Sequence, residues 1–212
     1  LPPLSDADSQ PLAFDTGPGN ALMDAAVDDL TQGAQTYDED GALAAEGHSD
    51  LAWLNTLLAH PYFERQPPKT TGRELFGTAQ ALRYVQDGVA RGLSTLDIIA
   101  TLTQLTAASI AQAYTMFAPA PLGEVVLGGG GSRNPTLVGM LAARLDCPVM
   151  THEALGINSD HKEALVFAVL AYETWHARPG TLAALTGARH ATVLGQITPG
   201  ANYATLVRQT RV

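Results

Sequence analysis

The sequence predicts an α/β fold rich in helix. Several segments repeat apolar residues at helical spacing, and one segment, Glu124 to Thr151, reads strand, glycine turn, helix, strand. That last unit is a parallel crossover, right-handed by default. No internal repeat or low-complexity tract interrupts the pattern, so the whole chain reads as one domain.

Residues 1–10 are polar and proline-bearing and read as a linker or loop, leaving 11–212 for the folded part. Pro11 to Phe14 is a short strand candidate. Asn20 to Gln32 is helical, with Leu22, Ala26 and Leu30 at helix spacing and Asn20 as the expected cap. A short helix fits Ala42 to Gly47. Asp50 to His60 places Leu51, Leu54, Leu57 and Leu58 on one stripe. Thr70 or Thr71 is expected to cap a helix over Glu74 to Ala90. Ser94-Thr95-Leu96-Asp97 has the form of a capping box and opens a helix to about Phe117. That helix is apolar over a wide arc, so it should be largely buried. Glu124–Leu127 and Cys147–Thr151 are strands, with a helix from Asn134 to Leu145 between them and Pro135 in a tolerated first-turn position. Asp160 to Ala177 is a further helix, and its apolar run from Ala164 to Tyr172 suits burial. Thr186 to Gly195 is a loop, and Tyr203 to Val207 is a weak strand.

Composition narrows the function classes. The chain has 212 residues, 46% hydrophobic and 16% charged, which is a globular balance rather than a disordered one. Its net charge of -9 argues against nucleic acid or an anionic membrane surface as partner. A phosphate-bearing substrate stays compatible, because backbone donors can hold it. No apolar run approaches the roughly 18–20 residues of a membrane span. The single cysteine, Cys147, excludes an intrachain disulfide and favours a reducing, cytoplasmic setting. The six histidines are scattered without metal-ligand spacing, so no metal site is expected from side chains. The amino terminus has no basic run before an apolar one, hence no signal peptide, and Leu1-Pro2-Pro3-Leu4 reads as the middle of a longer chain.

Two motifs carry chemistry. Phe14-Asp15-Thr16-Gly17-Pro18-Gly19-Asn20 sets a carboxylate beside a hydroxyl and glycines, just before a helix. A fixed Asp15 there suits proton abstraction, with Thr16 and Gly17 as neighbours to a substrate. The alternative is an aspartate that only closes its own turn. Gly128-Gly129-Gly130-Gly131-Ser132-Arg133-Asn134-Pro135 follows a strand and opens a helix. Such a run lets a ligand approach the backbone closely. No Gly-Lys-Ser/Thr follows, so it is not a P-loop, and Arg133 stands where the dinucleotide fingerprint needs its third glycine. Asp160 and Glu163 are read as first-turn charges that compensate a helix dipole, or else as carboxylates pointed into a cleft. Lys69 and Arg73 read as a solvated basic loop, with anion pairing as the alternative. The tryptophans and tyrosines are expected in a core or an interface.

Taken together, these segments resemble the C-terminal part of the anhydro-N-acetylmuramic acid kinase family, in the superfamily of actin, hexokinase and the heat-shock chaperone ATPase. The resemblance rests on Phe14 to Asn20 with Asp24, Pro67-Pro68-Lys69-Thr70-Thr71-Gly72-Arg73-Glu74, Gly128 to Pro135, Ala154-Leu155-Gly156-Ile157, Glu163-Ala164 and Thr186-Gly187-Ala188, in the family's order. It implies a ribonuclease-H-like, actin-like ATPase fold, with an incomplete sheet because the chain begins partway through it. It implies ATP and magnesium as cofactors and 1,6-anhydro-N-acetylmuramic acid as substrate. Water opens the anhydro bridge and the freed O6 takes the γ-phosphoryl group, giving N-acetylmuramic acid 6-phosphate in cell-wall amino-sugar recycling. Asp15 then corresponds to the base that activates water, Thr16, Gly17 and Glu163 to sugar contacts, and Gly128, Gly129, Gly130, Gly131 and Asn134 to the nucleotide strip.

The chain departs from the family by lacking its N-terminal glycine-rich phosphate loop and the Gly-Gly hairpin upstream of the Asp-Thr-Gly-Pro segment. The expectation is therefore a C-terminal domain of a two-domain enzyme, inactive alone, whose partners include the missing N-terminal half and a second copy in a homodimer. A competing reading is a non-catalytic nucleotide-binding or dimerisation module, with the helix from Thr95 and the Asp50–His60 stripe as its interface. A third is an unrelated hydrolase that uses Asp15 without ATP or metal.

Overall fold

The computed structural model describes residues 11–159 and 161–210. The linker expected at residues 1–10 and the helix-start carboxylate expected at Asp160 lie outside the described residues. Packing divides the chain into two units. Residues 14–156 form one, and residues from 157 onward, with 11–13, form the other.

The larger unit holds α1 (Ala21–Leu30), α2 (Ala42–Glu46), α3 (Leu51–Leu58), α4 (Pro61–Glu64), α5 (Arg73–Phe76), α6 (Thr78–Ala90), α7 (Thr95–Phe117), β1 (Val125–Leu127), α8 (Pro135–Ala142) and β2 (Val149–Thr151). The long α7 is its axis. Both of its apolar faces are consumed, since Ile98, Ile99, Leu102 and Leu105 are fully buried and α1, α2, α3, α6 and α8 pack around it. Trp53 from α3, Tyr62 and Phe76 complete the core. Full burial of one such large side chain contributes about 1.5–3 kcal/mol. Leu54 and Leu57 of the Asp50–His60 stripe also face inward. The α7 face expected at a dimer interface is thus largely interior to this unit, whereas the α3 stripe is divided: Leu54 and Leu57 are buried, Leu58 is half-buried and Leu51 is 65% exposed.

Local signals set most boundaries. Ser94 Oγ accepts from the Asp97 N–H at 3.1 Å and donates to Asp97 Oδ2 at 2.7 Å. Asp97 Oδ1 accepts from the His48 N–H at 2.7 Å, tying the segment after α2 to the start of α7. Asp50 caps α3 by accepting from the Trp53 N–H at 2.7 Å. Asn20 does not cap α1. It has helical backbone angles and its amide donates to Asp24 Oδ2 instead. Nor does either threonine cap the helix after the Pro-Pro segment, whose first residue follows Gly72. That helix is broken at Gly77, where a Cβ would run into the Arg73 carbonyl.

The strands pair in parallel, with Val125 opposite Val149, Val126 opposite Met150 and Leu127 opposite Thr151, and α8 makes the connection. This bears out the crossover unit of a helix-rich α/β fold. The expected strand at Pro11–Phe14 is absent, and the segment has no ladder partner among the described residues. The Phe14 ring instead packs edge-on against Phe117 at 5.6 Å.

The second unit holds α9 (Lys162–Trp175), α10 (Ala183–Thr186) and α11 (Tyr203–Thr210). Tyr203 to Val207 is helix, not strand. A stretch this short fits either period, and the Asn202 carbonyl accepts from the Thr205 and Leu206 N–H groups, closing a helical turn. Tyr203 meets Trp175 edge-on at 6.0 Å. Gly187, at φ +70°, closes α10 in the left-handed region that favours glycine. The helix expected over the Ala164–Tyr172 run forms, yet none of its residues is buried, and Phe167 is 70% exposed. An apolar run states a need for cover without supplying it.

Candidate functional site

Asp15 is exposed and held from three directions by residues distant in sequence. Its N–H donates to the Lys69 carbonyl at 3.1 Å. Its own carbonyl accepts from the Tyr62 phenol at 2.8 Å. Its Oδ2 accepts from Thr70 Oγ1 at 2.7 Å and from the Thr71 N–H at 2.9 Å. The Thr71 N–H, followed by the Thr70 hydroxyl, holds its carboxyl below the usual carboxylate range, because both bonds favour the anion. Burial, followed by the Asp15 charge, pushes the Tyr62 phenol up, so it stays a donor.

The segment donating to Asp15 is anchored by Lys69. That side chain is buried, against the expectation of a solvated basic loop. Its ammonium donates to the carbonyls of Tyr62 at 3.3 Å and Phe63 at 3.0 Å. It also lies 4.7 Å from the Phe117 ring, 5.0 Å from Tyr62 and 5.7 Å from Phe14. Aromatic faces stabilise a desolvated cation, which explains a buried lysine that has no carboxylate partner among the described residues. Burial, followed by the nearby Arg65 charge, moves its pKa down. Arg73 remains exposed.

Behind Asp15, Gly17 lies so close to the core that a Cβ there would sit 2.9 Å from Phe63 Cε1 and from Ser109 Oγ. Thr106 Oγ1 donates to the Gly19 carbonyl at 2.6 Å. The Asp-Thr-Gly segment is therefore pinned to α7, with Thr16 partly exposed beside Asp15.

The glycine run separates into positions with different reasons. A Cβ on Gly128 would enter the His152 imidazole, and Gly129 has φ +86°. Gly130 meets nothing within 4 Å, so packing does not demand it. Gly131 would make only ordinary contact with Leu137. The backbone of Gly130–Arg133 is a single 3-10 turn, with Ser132 Oγ donating to the Gly129 carbonyl at 2.7 Å. Asn134 is buried and caps α8, accepting from the Leu137 N–H at 2.8 Å. His152 Nδ1, beside Gly128, is out of solvent and without a hydrogen-bond partner among the described residues.

Asp15, Thr16, Gly17 and the glycine run share the larger unit, whereas Glu163 is exposed in the first turn of α9 in the other. A cavity of about 510 Å³ is lined by Tyr114, Arg144 and Cys147 with the Pro119–Leu122 segment, and includes neither Asp15 nor the glycines. A smaller one of about 230 Å³ is lined by Asp24, Asp28 and Arg73. Among the described residues no three acidic, His or Cys side chains converge as a metal cage. No described helix is long and apolar enough to cross a membrane. Sequence reasoning missed Tyr62, Lys69 and Thr70 as supports of Asp15. For Lys69 and Thr70 the signal was the Pro67–Thr71 segment itself, whose pairing with residue 15 only folding creates.

A family profile for anhydro-N-acetylmuramic acid kinase matches residues 4–200. A relative of that name from Rhodococcus erythropolis is 47% identical over 197 residues, covering 92% of this chain and 48% of the relative. One from Microcystis aeruginosa is 47% identical over 201 residues, covering 93% and 53%. One from Streptomyces coelicolor is 46% identical over 193 residues, covering 91% and 48%. The chain thus spans about half the length of the curated relatives it matches. With a profile match over nearly its whole length and identities this high, the chain belongs to the anhydro-N-acetylmuramic acid kinase family.

Proposed function

We propose that this chain supplies the water-activating side of an ATP-dependent kinase acting on 1,6-anhydro-N-acetylmuramic acid, on an actin-like, ribonuclease-H-like fold. The observation that carries the reading is Asp15, exposed, anionic and clamped at backbone and side chain. A carboxylate so held accepts a proton without first reorganising. A water O–H bond breaks and its proton goes to Asp15 as the oxygen bonds the anomeric carbon. The anhydro C–O bond breaks, O6 keeps the electron pair, and O6 displaces ADP from the γ-phosphorus of ATP.

Thr16 and Gly17 border the sugar in this reading, and Glu163 is its second carboxylate contact. Gly128 to Gly131 line the nucleotide, with Gly130 free of any packing role. Asn134 serves there through the turn that it caps, since its side chain is engaged. Magnesium enters with the nucleotide phosphates. The expected setting is cytoplasmic, and the working enzyme a homodimer of two-domain subunits. The curated relatives are about twice as long as the matched region, and the 212 residues alone are expected not to turn over.

The test is phosphorylation of the anhydro sugar by the full-length polypeptide carrying this sequence, with Asp15→Asn as the variant. Turnover should be abolished while calorimetric ATP binding stays near wild type. Undiminished ring opening by Asp15→Asn would overturn the assignment.

A further inference from the structure

The clamp on Asp15 is asymmetric. Oδ2 accepts two hydrogen bonds, from Thr70 Oγ1 at 2.7 Å and the Thr71 N–H at 2.9 Å. Among the described residues nothing donates to Oδ1. A carboxylate oxygen offers two lone-pair directions, so Oδ2 is filled by the chain and Oδ1 is open. The Thr70 hydroxyl has to act as donor here, since an ionised carboxylate has no proton to give.

We propose that Thr70 is a positioning residue of the reaction, whose hydroxyl engages Oδ2 of Asp15 so that Oδ1 is the oxygen that takes the proton from water. This rests on the reading of Asp15 as general base. Thr70 acts only through Asp15. The balance is that of the step given above, with the water proton ending on Oδ1 and Thr70 keeping its own.

Thr70 is the separable half of the clamp. Thr71 contributes a backbone N–H, which substitution leaves in place. Thr70 is exposed, and the strap carrying it is secured independently by the Lys69 carbonyl on the Asp15 N–H and by the Lys69 ammonium on Tyr62 and Phe63. Removing the hydroxyl therefore leaves the strap standing. It frees one lone-pair direction on Oδ2, lets the carboxylate rotate, and withdraws a bond that favours the anion.

The experiment compares Thr70→Val, Thr70→Ser and Asp15→Asn with wild type in the full-length polypeptide. The readouts are kcat and KM for the anhydro sugar as functions of pH. In this chain, a carbon-detected NMR titration follows the Asp15 carboxyl. Thr70→Val should lower kcat by about tenfold, part of the ~10²–10⁴ that a positioned base supplies, with little change in KM. Its acid limb and its Asp15 titration should both move to higher pH, and Thr70→Ser should restore all three. Thr70→Ala substitutes for the valine variant if the latter does not fold. Wild-type kcat with an unmoved titration in Thr70→Val overturns the positioning role while Asp15→Asn remains inactive. Retained turnover in Asp15→Asn overturns the general-base reading, and this proposal with it.

Discussion

Lys69→Met removes the ammonium that ties the strap beneath Asp15 to the Tyr62–Phe63 turn, and its cost can be worked out from the contacts. Two charge-assisted bonds, to the Tyr62 carbonyl at 3.3 Å and the Phe63 carbonyl at 3.0 Å, are lost. At about 1.5–3 kcal/mol each they amount to roughly 3–6 kcal/mol. The rings of Phe117, Tyr62 and Phe14, at 4.7–5.7 Å, contribute about 1–2 kcal/mol more. Against this stands relief from burying an ammonium, several kcal/mol. Methionine keeps most of the methylene packing. The balance is a destabilisation of about 2 kcal/mol, read as a lower urea midpoint at unchanged slope.

The pH dependence sharpens the test. Burial lowers the folded-state pKa of Lys69 from 10.5, so over that window the unfolded chain binds more protons. Stability then rises with pH, and wild type should gain on Lys69→Met as pH climbs toward 10.5. A methionine variant as stable as wild type at neutral pH would refute the reasoning, as would a difference that narrows in alkali.

Other expectations follow from the same geometry. Gly41 has φ +67°, and a Cβ there would lie 2.7 Å from Thr136 Oγ1 and inside the Asn134 side chain, so Gly41→Ala should cost at least ~2 kcal/mol in chemical denaturation. Trp53→Phe loses the indole donor to Asp87 Oδ2 at 2.7 Å inside a full core, and should lower stability by about 1–3 kcal/mol, measured by thermal unfolding. Asp97 has its pKa lowered, first by the His48 N–H and then by Ser94. Its stabilisation is present above the ordinary 3.8 and lost as pH falls through the lower folded value. Asp97→Asn should therefore flatten the acid limb of the stability profile.

Much of the fold was legible because it is local. The Ser94 cap, the wide apolar arc of α7 and the strand–helix–strand unit around α8 each declare themselves within one or two turns of chain. The errors arose where local evidence is symmetric. Tyr203 to Val207 fits both periods, and Pro11 to Phe14 had strand character but no partner among the described residues. The site divides along the same line. Asp15, its glycines and the glycine run were visible as motifs, and the family followed from their order.

What the chain alone determined was which residue types stand at each turn, since propensity, capping and periodicity act between neighbours. Only the folded structure decided that a lysine from the Pro-Pro segment is buried among three aromatic rings. Only it decided that Thr70 and Thr71 donate to one oxygen of a carboxylate 55 and 56 positions away. Such contacts depend on how helices pack around α7, a sum of many weak burial terms that no short stretch of sequence contains.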